Sequence, residues 1–264
     1  MRAPFLILIS LLALAFAASA CESAGSGGTG DPALFEEGAS GAYIALGDSV
    51  AAGSGASDAA STSYVALVAE ALGERGNEIE LVSLATGGHT TRDLIDQQLP
   101  ATLERTAQGD VRLVTITIGG NDLGQYAAAE ACVSNPAAPD CPLEDGLLEV
   151  EERLNQILGE LRAAAPDAAI VIQLYPNLFS GTGHPLTYQA DVAFGMLNGV
   201  IESVAERHDA LVADPRNAFA ADGSRMTHLL DETPDAHPND AGHRAIADAF
   251  LRALGLASTD GGTD

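Results

Sequence analysis

Polar and apolar positions along this chain follow two alternating rhythms. Ala42-Tyr43-Ile44-Ala45-Leu46 is a short apolar run that ends at Gly47. Residues 79–84, 112–118, 168–175 and 210–213 are similar runs, each bounded by turn residues. Continuous apolar runs this short predict strands buried on both faces, and hence a parallel sheet. Between them the apolar residues recur every three or four positions. Tyr64-Val65-Leu67-Val68-Ala71-Leu72 is one such stripe. Residues 147–161, 196–204 and 246–254 carry the others. Strands alternating with amphipathic helices predict an α/β chain folded as a three-layer α/β/α sandwich. No internal repeat or second linker interrupts it. The pattern predicts one domain over 41–256 and a polar tail over 257–264.

The first twenty residues have a different character. Arg2 is followed by a nearly unbroken apolar stretch from Phe5 to Phe16, then by Ala17-Ala18-Ser19-Ala20. This predicts a signal peptide over 1–20. A transmembrane anchor is the competing reading, but the run is at the lower edge of the ~20 residues a span requires. No basic cluster follows it. Cys21 after small residues resembles the bacterial lipobox, in which that Cys is lipidated. Ala18 stands where the lipobox prefers Leu, and cleavage after Ala20 without lipidation suits the same residues. Residues 21–40, rich in Gly, Ser and Thr, predict a flexible tether.

Composition narrows the partners. Hydrophobic residues make up 47% of the chain, enough for a sizeable core. Thirty-seven acidic residues against 12 basic ones give a net charge of −25. Such a chain repels phosphate backbones, so no nucleic-acid partner is expected. It offers no basic face to an anionic membrane, so a lipid anchor at Cys21 is the expected membrane link. All the basic residues are Arg, which excludes a Walker A loop, a Schiff-base lysine and a Ser–Lys dyad. Cys132 and Cys141 remain as a pair in a Pro-rich loop. In an exported protein a disulfide between them is the expectation, worth about 2–3 kcal/mol. No zinc-ligand spacing surrounds them.

In α/β sheets of this kind, sites form beyond the carboxyl ends of the strands. After the first apolar run comes Gly47-Asp48-Ser49, after the second Gly87-Gly88-His89, and after the third Gly119-Gly120-Asn121-Asp122. Near the end stands Asp235-Ala236-His237-Pro238-Asn239. Each alone is a good turn or cap. Together they supply what ester cleavage needs. Ser49 is the candidate nucleophile. His237 is the candidate base, since imidazole titrates near neutrality. The Ser49 N–H, the Gly88 N–H and the Asn121 amide are candidate oxyanion donors. A glycine at 88 lets backbone approach substrate closely.

At these residues the sequence resembles the SGNH/GDSL hydrolases. Members carry a Gly-Asp-Ser nucleophile near the mature N-terminus, a Gly and an Asn as oxyanion donors, and a late His-Pro. Ser49, Gly88, Asn121 and His237 take those places. The resemblance spans about 43–250 and includes Asn239, Gly242 and His243 after the His-Pro. It implies a flavodoxin-like sheet of about five strands in the order 2-1-3-4-5, with no cofactor and no metal. One position departs from the pattern. The family's acid lies three residues before the His, and Pro234 stands there. Three readings stay open: Asp235 through a shifted turn, Asp231 or Glu232 reaching in, or a backbone carbonyl completing a Ser–His dyad.

Other residues have plainer readings. His89 reads as a solvated loop residue, Asp122 as a helix cap or loop anchor, and Asp48 as the organiser of the turn at Ser49. Gly53-Ser54-Gly55 lacks the third glycine of a dinucleotide fingerprint. Ala51 breaks the Gly-x-Ser-x-Gly elbow around Ser49, which argues against an ordinary α/β-hydrolase. His184, His208, His228 and His243 show no metal-ligand spacing. The expected function is an exported, lipid-tethered, monomeric serine esterase. Its substrates would be small esters, lipids or acylated carbohydrates. The segments at 132–141 and 178–186 offer no long apolar run and the chain has no Trp, which favours short acyl chains. Two alternatives use the same fold: a binding protein without turnover, supported by Pro234, and an acyltransferase working through Ser49 and His237.

Overall fold

A computed structural model describes residues 35–127 and 140–256, together with 132, 135 and 138. The expected signal peptide, Cys21 and the 257–264 tail lie outside the described residues. Residues 35–40 of the expected tether are described, and Ser40 begins the first strand. Phe35 is buried in the core and its carbonyl accepts a hydrogen bond from the Asn77 amide.

Five strands form one parallel sheet: β1 (Ser40–Gly47), β2 (Glu78–Ser83), β3 (Val111–Thr117), β4 (Ala169–Gln173) and β5 (Leu211–Ala213). Their order is β2-β1-β3-β4-β5. The order places the gap between strand ends at β1 and β3, where the chain direction of winding reverses. The apolar runs were legible because β1, β3 and β4 are covered on both faces. Along β1, Ala42, Ile44 and Leu46 enter one core and Tyr43 and Ala45 the other. The edge strand β2 differs: only Ile79 and Val82 are half-buried, and Leu81 is exposed. It has one strand neighbour, and each face is only partly covered, Val82 meeting one core and Ile79 the other.

The first core lies under two long helices, Leu143–Ala164 and Thr187–Arg207, which bury Leu154, Ile157, Leu158, Leu197 and Ile201. The second lies under α1 (Tyr64–Glu74) and the last helix, Asp240–Ala253, with Tyr64 stacked on Phe250 at 4.9 Å. Ser63 caps α1 by accepting from the Ala66 N–H, and Asn239 caps the last helix by accepting from the Gly242 N–H.

Three elements lack an apolar signature in the sequence. The stretch after β2 is helical in three pieces: Thr91–Asp93, a π-helical turn Leu94–Gln98, and Leu99–Thr106. Its buried side chains include Gln98, Thr102 and Thr106, which satisfy themselves by hydrogen bonds rather than by apolar contact. Gly120–Ala127 is a helix opening on the candidate Asn. A small antiparallel ladder pairs β6 (Thr227–His228) with β7 (Asp235–Pro238). Cys132 and Cys141 are bonded, closing a separation of nine residues.

Candidate active site

Ser49 sits in the turn that leaves β1. The turn closes on itself through Ala52 N–H to the Asp48 carbonyl and Ser54 N–H to the Ser49 carbonyl. Asp48 is buried beneath it. Its carboxylate accepts from the Val50 N–H at 2.9 Å and from the Tyr175 hydroxyl at 2.9 Å. Burial pushes the Asp48 carboxyl up to about 6, with these two bonds and His237 acting against the shift. Asp48 therefore organises the turn from below, as its position suggested.

His237 lies on β7, 188 residues from Ser49, and its Nε2 is 2.8 Å from the Ser49 Oγ. On the other side of the ring, Nδ1 is 2.7 Å from an Asp235 carboxylate oxygen. The same oxygen accepts from the His237 N–H at 3.0 Å. That is the local habit of Asp, whose short side chain turns back to the backbone two residues on. One curl thus aims the carboxylate at both nitrogens of the second residue along. The bond to the His237 N–H leads the causes that hold Asp235 below the usual carboxylate range. Asp231, one alternative, is instead bonded to His228 at 2.6 Å. The Asp235 side chain, rather than a backbone carbonyl, occupies Nδ1.

The oxyanion candidates meet at the same edge. The Asn121 amide gives one N–H to the His89 carbonyl at 2.9 Å, which orients the group and leaves a second N–H. Among the described residues, the backbone N–H groups of Ser49 and Gly88 have no hydrogen-bond partner. Gly88 has φ +81°, and a Cβ there would meet no protein atom within 4 Å. Its left-handed backbone, rather than crowding by the protein, asks for glycine. The loop abuts the nucleophile: a Cβ on Gly87 would lie 3.8 Å from the Ser49 Cβ.

Gln98 was not legible as a site residue. It accepts from the Gly47 N–H and donates to the Gly47 carbonyl, both at 2.8 Å. Its amide nitrogen also lies 2.9 Å from His89 Nδ1. Gln98 thereby ties the end of β1 to the loop whose carbonyl aims Asn121. Gln98 closes the π-helical turn Leu94–Gln98, a feature often found at functional sites. His89 is consequently a half-buried link and not a solvated loop residue. Asp122 does not face His237. It accepts from the Thr91 N–H and hydroxyl, at 2.9 and 2.6 Å, and so caps the helix that starts 31 residues before it.

Ser49, Asn121 and His237 line a cavity of about 230 Å³. Tyr175, Leu178 and Phe194 provide much of its apolar wall, with Tyr175 and Phe194 stacked at 5.9 Å. Among the described residues, no group of three or more His, Cys, Asp or Glu is placed to hold a metal ion. No described helix is long and apolar enough to cross a membrane.

Chemistry of this kind, on a sheet wound in this order, is that of a carboxylic ester hydrolase. The chain belongs to the GDSL-like lipase/acylhydrolase family, whose model matches residues 45–245. It is 28% identical to Lipase 2 of Streptomyces coelicolor over 259 residues, covering 81% of this chain and 86% of that protein. Two solved structures superpose along nearly their whole length. Phospholipase A1 from Streptomyces albidoflavus is 25% identical with a TM-score of 0.61, covering 83% of this chain and 99% of that one. An extracellular lipase from Streptomyces rimosus is 25% identical with a TM-score of 0.60, covering 83% and 100%.

Proposed function

We propose that this hydrolase works through an acyl-enzyme on Ser49. The observation that carries the reading is the relay Ser49 Oγ–His237 Nε2 at 2.8 Å and His237 Nδ1–Asp235 at 2.7 Å. His237 takes the hydroxyl proton as Ser49 attacks the ester carbonyl. The Ser49 and Gly88 N–H groups and the Asn121 amide receive the developing oxyanion. His237 returns the proton to the departing alcohol, then activates the water that releases the acid. Asp235 holds the reacting tautomer and stabilises the imidazolium. A carboxylate at the position after Pro234, bonded to His237 Nδ1, supports turnover over a binding protein without it.

The substrate class is a short-chain carboxylic ester. The cavity, about 230 Å³, is smaller than the ~300–1,000 Å³ of sites that enclose drug-sized ligands, and aromatic rings close much of its wall. The relatives' names favour the second reading, a longer lipid ester. Hydrolysis of p-nitrophenyl acetate, butyrate and octanoate decides between them. Turnover should fall from butyrate to octanoate and vanish in Ser49→Ala. Octanoate as the best substrate would overturn the short-chain assignment, and Ser49 inert to a fluorophosphonate would overturn the acyl-enzyme.

The chain is proposed to be exported, with 1–20 removed and Cys21 lipidated at the head of the Gly/Ser/Thr-rich tether. Intact mass of the mature protein, with and without Cys21→Ala, tests this.

A further inference from the structure

The C-terminal third of the chain grips the nucleophile loop at three histidines. His237 meets Ser49 as described. His243 Nε2 faces the Ser54 carbonyl at 3.0 Å, and His228 Nε2 faces the Gly55 carbonyl at 2.8 Å. The last two differ in what lies on the far side of the ring. His243 Nδ1 faces a donor, the Tyr64 N–H at 3.3 Å, so a neutral ring satisfies both contacts. His228 Nδ1 faces the Asp231 carboxylate at 2.6 Å. A carbonyl and a carboxylate both only accept. Imidazole carries one N–H and imidazolium two.

We infer that His228 acts as an imidazolium positioning residue, bracing the nucleophile loop against the segment that carries Asp235 and His237. It follows that turnover needs His228 charged while His237 is neutral. The inference rests on the proposed acyl-enzyme mechanism. The brace reaches the reacting atoms by two short routes. Gly55 presses on the catalytic strand: a Cβ there would lie 2.3 Å from the Pro238 carbonyl and 2.9 Å from the His237 Cβ. The loop is also a closed turn, with the Ser54 N–H bonded to the Ser49 carbonyl at 2.8 Å. A shift of Gly55 therefore moves both partners of the Ser49–His237 bond.

The titratable groups around His228 are Asp231 on its own connection, Asp235 across the β6–β7 ladder and His243 on the last helix. The Gly55 carbonyl and then the two carboxylates push the His228 ring up from the ordinary histidine value, while burial and His243 act against charge. The sign follows. A raised value means the brace is complete at low pH and is lost as pH rises through it. Activity should fade on the alkaline side for this reason.

The test uses the full folded chain and has two readouts. Nitrogen-15 NMR of the histidine rings should find both His228 nitrogens protonated at pH 7, with a midpoint matching the alkaline fall of kcat. Asp231→Asn should move both midpoints down together. His228→Gln should remove that alkaline fall and lower kcat about threefold to tenfold, with KM within about twofold. That lies inside the ~100-fold that a 1 Å misplacement of reacting groups can cause. A singly protonated His228 ring at pH 7 would overturn the inference. So would an alkaline limb that stays put in Asp231→Asn while the NMR midpoint moves. If His228→Gln does not fold, the Asp231→Asn pair of midpoints decides. Fluorophosphonate labelling of Ser49 separately judges the mechanism beneath.

Discussion

We propose Asp235 for the role that the family pattern assigns to a residue one position earlier. The geometry supports this, because an Asp two residues before a histidine can bond that residue's N–H and ring together. Its carboxylate is half exposed, so water partly substitutes for it. Asp235→Asn should therefore lower kcat about 10²-fold, short of the ~10⁴ seen for a buried triad acid. Steady-state kinetics with KM held near its original value checks this. Asp48 behaves oppositely. Its carboxyl is pushed up from an unfolded value near 3.9 to about 6, so the folded state holds the proton more tightly. Stability should fall as pH rises from about 4 to about 6 and then level off, by about 3 kcal/mol in all. Asp48→Asn keeps the acceptor for the Val50 N–H and removes the charge. It should be more stable by about 1–3 kcal/mol at pH 8 and no more stable at pH 4, as read from urea melts. The candidate nucleophile, histidine and amide were legible as residue types at strand ends. Gln98 was not, because an amide in a polar helix has no signature until its partner strand is beside it.

Elements were legible in proportion to their apolar burial. The central strands and the long helices announce themselves by periodicity, since each is covered by a continuous core. The 91–106 stretch does not. Its interior face is built partly from Thr and Gln, and its π turn shifts the register midway. The β6–β7 ladder is too short to carry a period of two, yet it holds the candidate base. Gly55→Ala tests how tightly these small elements fit: the added methyl meets backbone at 2.3 Å and the residue has φ +85°. It should destabilise the chain by about 2 kcal/mol or more and depress kcat as His237 is displaced, measured by thermal melting and turnover together. The disulfide joins cysteines nine positions apart. Replacing both cysteines by Ser should cost about 2–3 kcal/mol, or roughly 5–10 °C in Tm.

For the molecule as a whole, the net charge of −25 is the dominant electrostatic fact. The described ion pairs engage Arg105, Arg153, Arg207, Arg216 and Arg225, leaving a large excess of carboxylates to repel one another. Salt shortens the reach of that repulsion from ~30 Å at 0.01 M to a few ångströms at 1 M. Tm should therefore rise by a few degrees between 10 mM and 0.5 M NaCl, corresponding to about 1 kcal/mol. A chain held together mainly by its ion pairs would lose stability instead. What this sequence determined unaided is local: which stretches are strands, which are helices, and which reactive residues stand at strand ends. Those properties depend on neighbours within one or two turns of chain. The tertiary structure alone decided that His237 reaches Ser49, how Gln98 joins the loops and what His228 grips. Each of those contacts is set by the order of strands in the sheet, which brings residues together across as many as 188 positions, and no local pattern encodes such a distance.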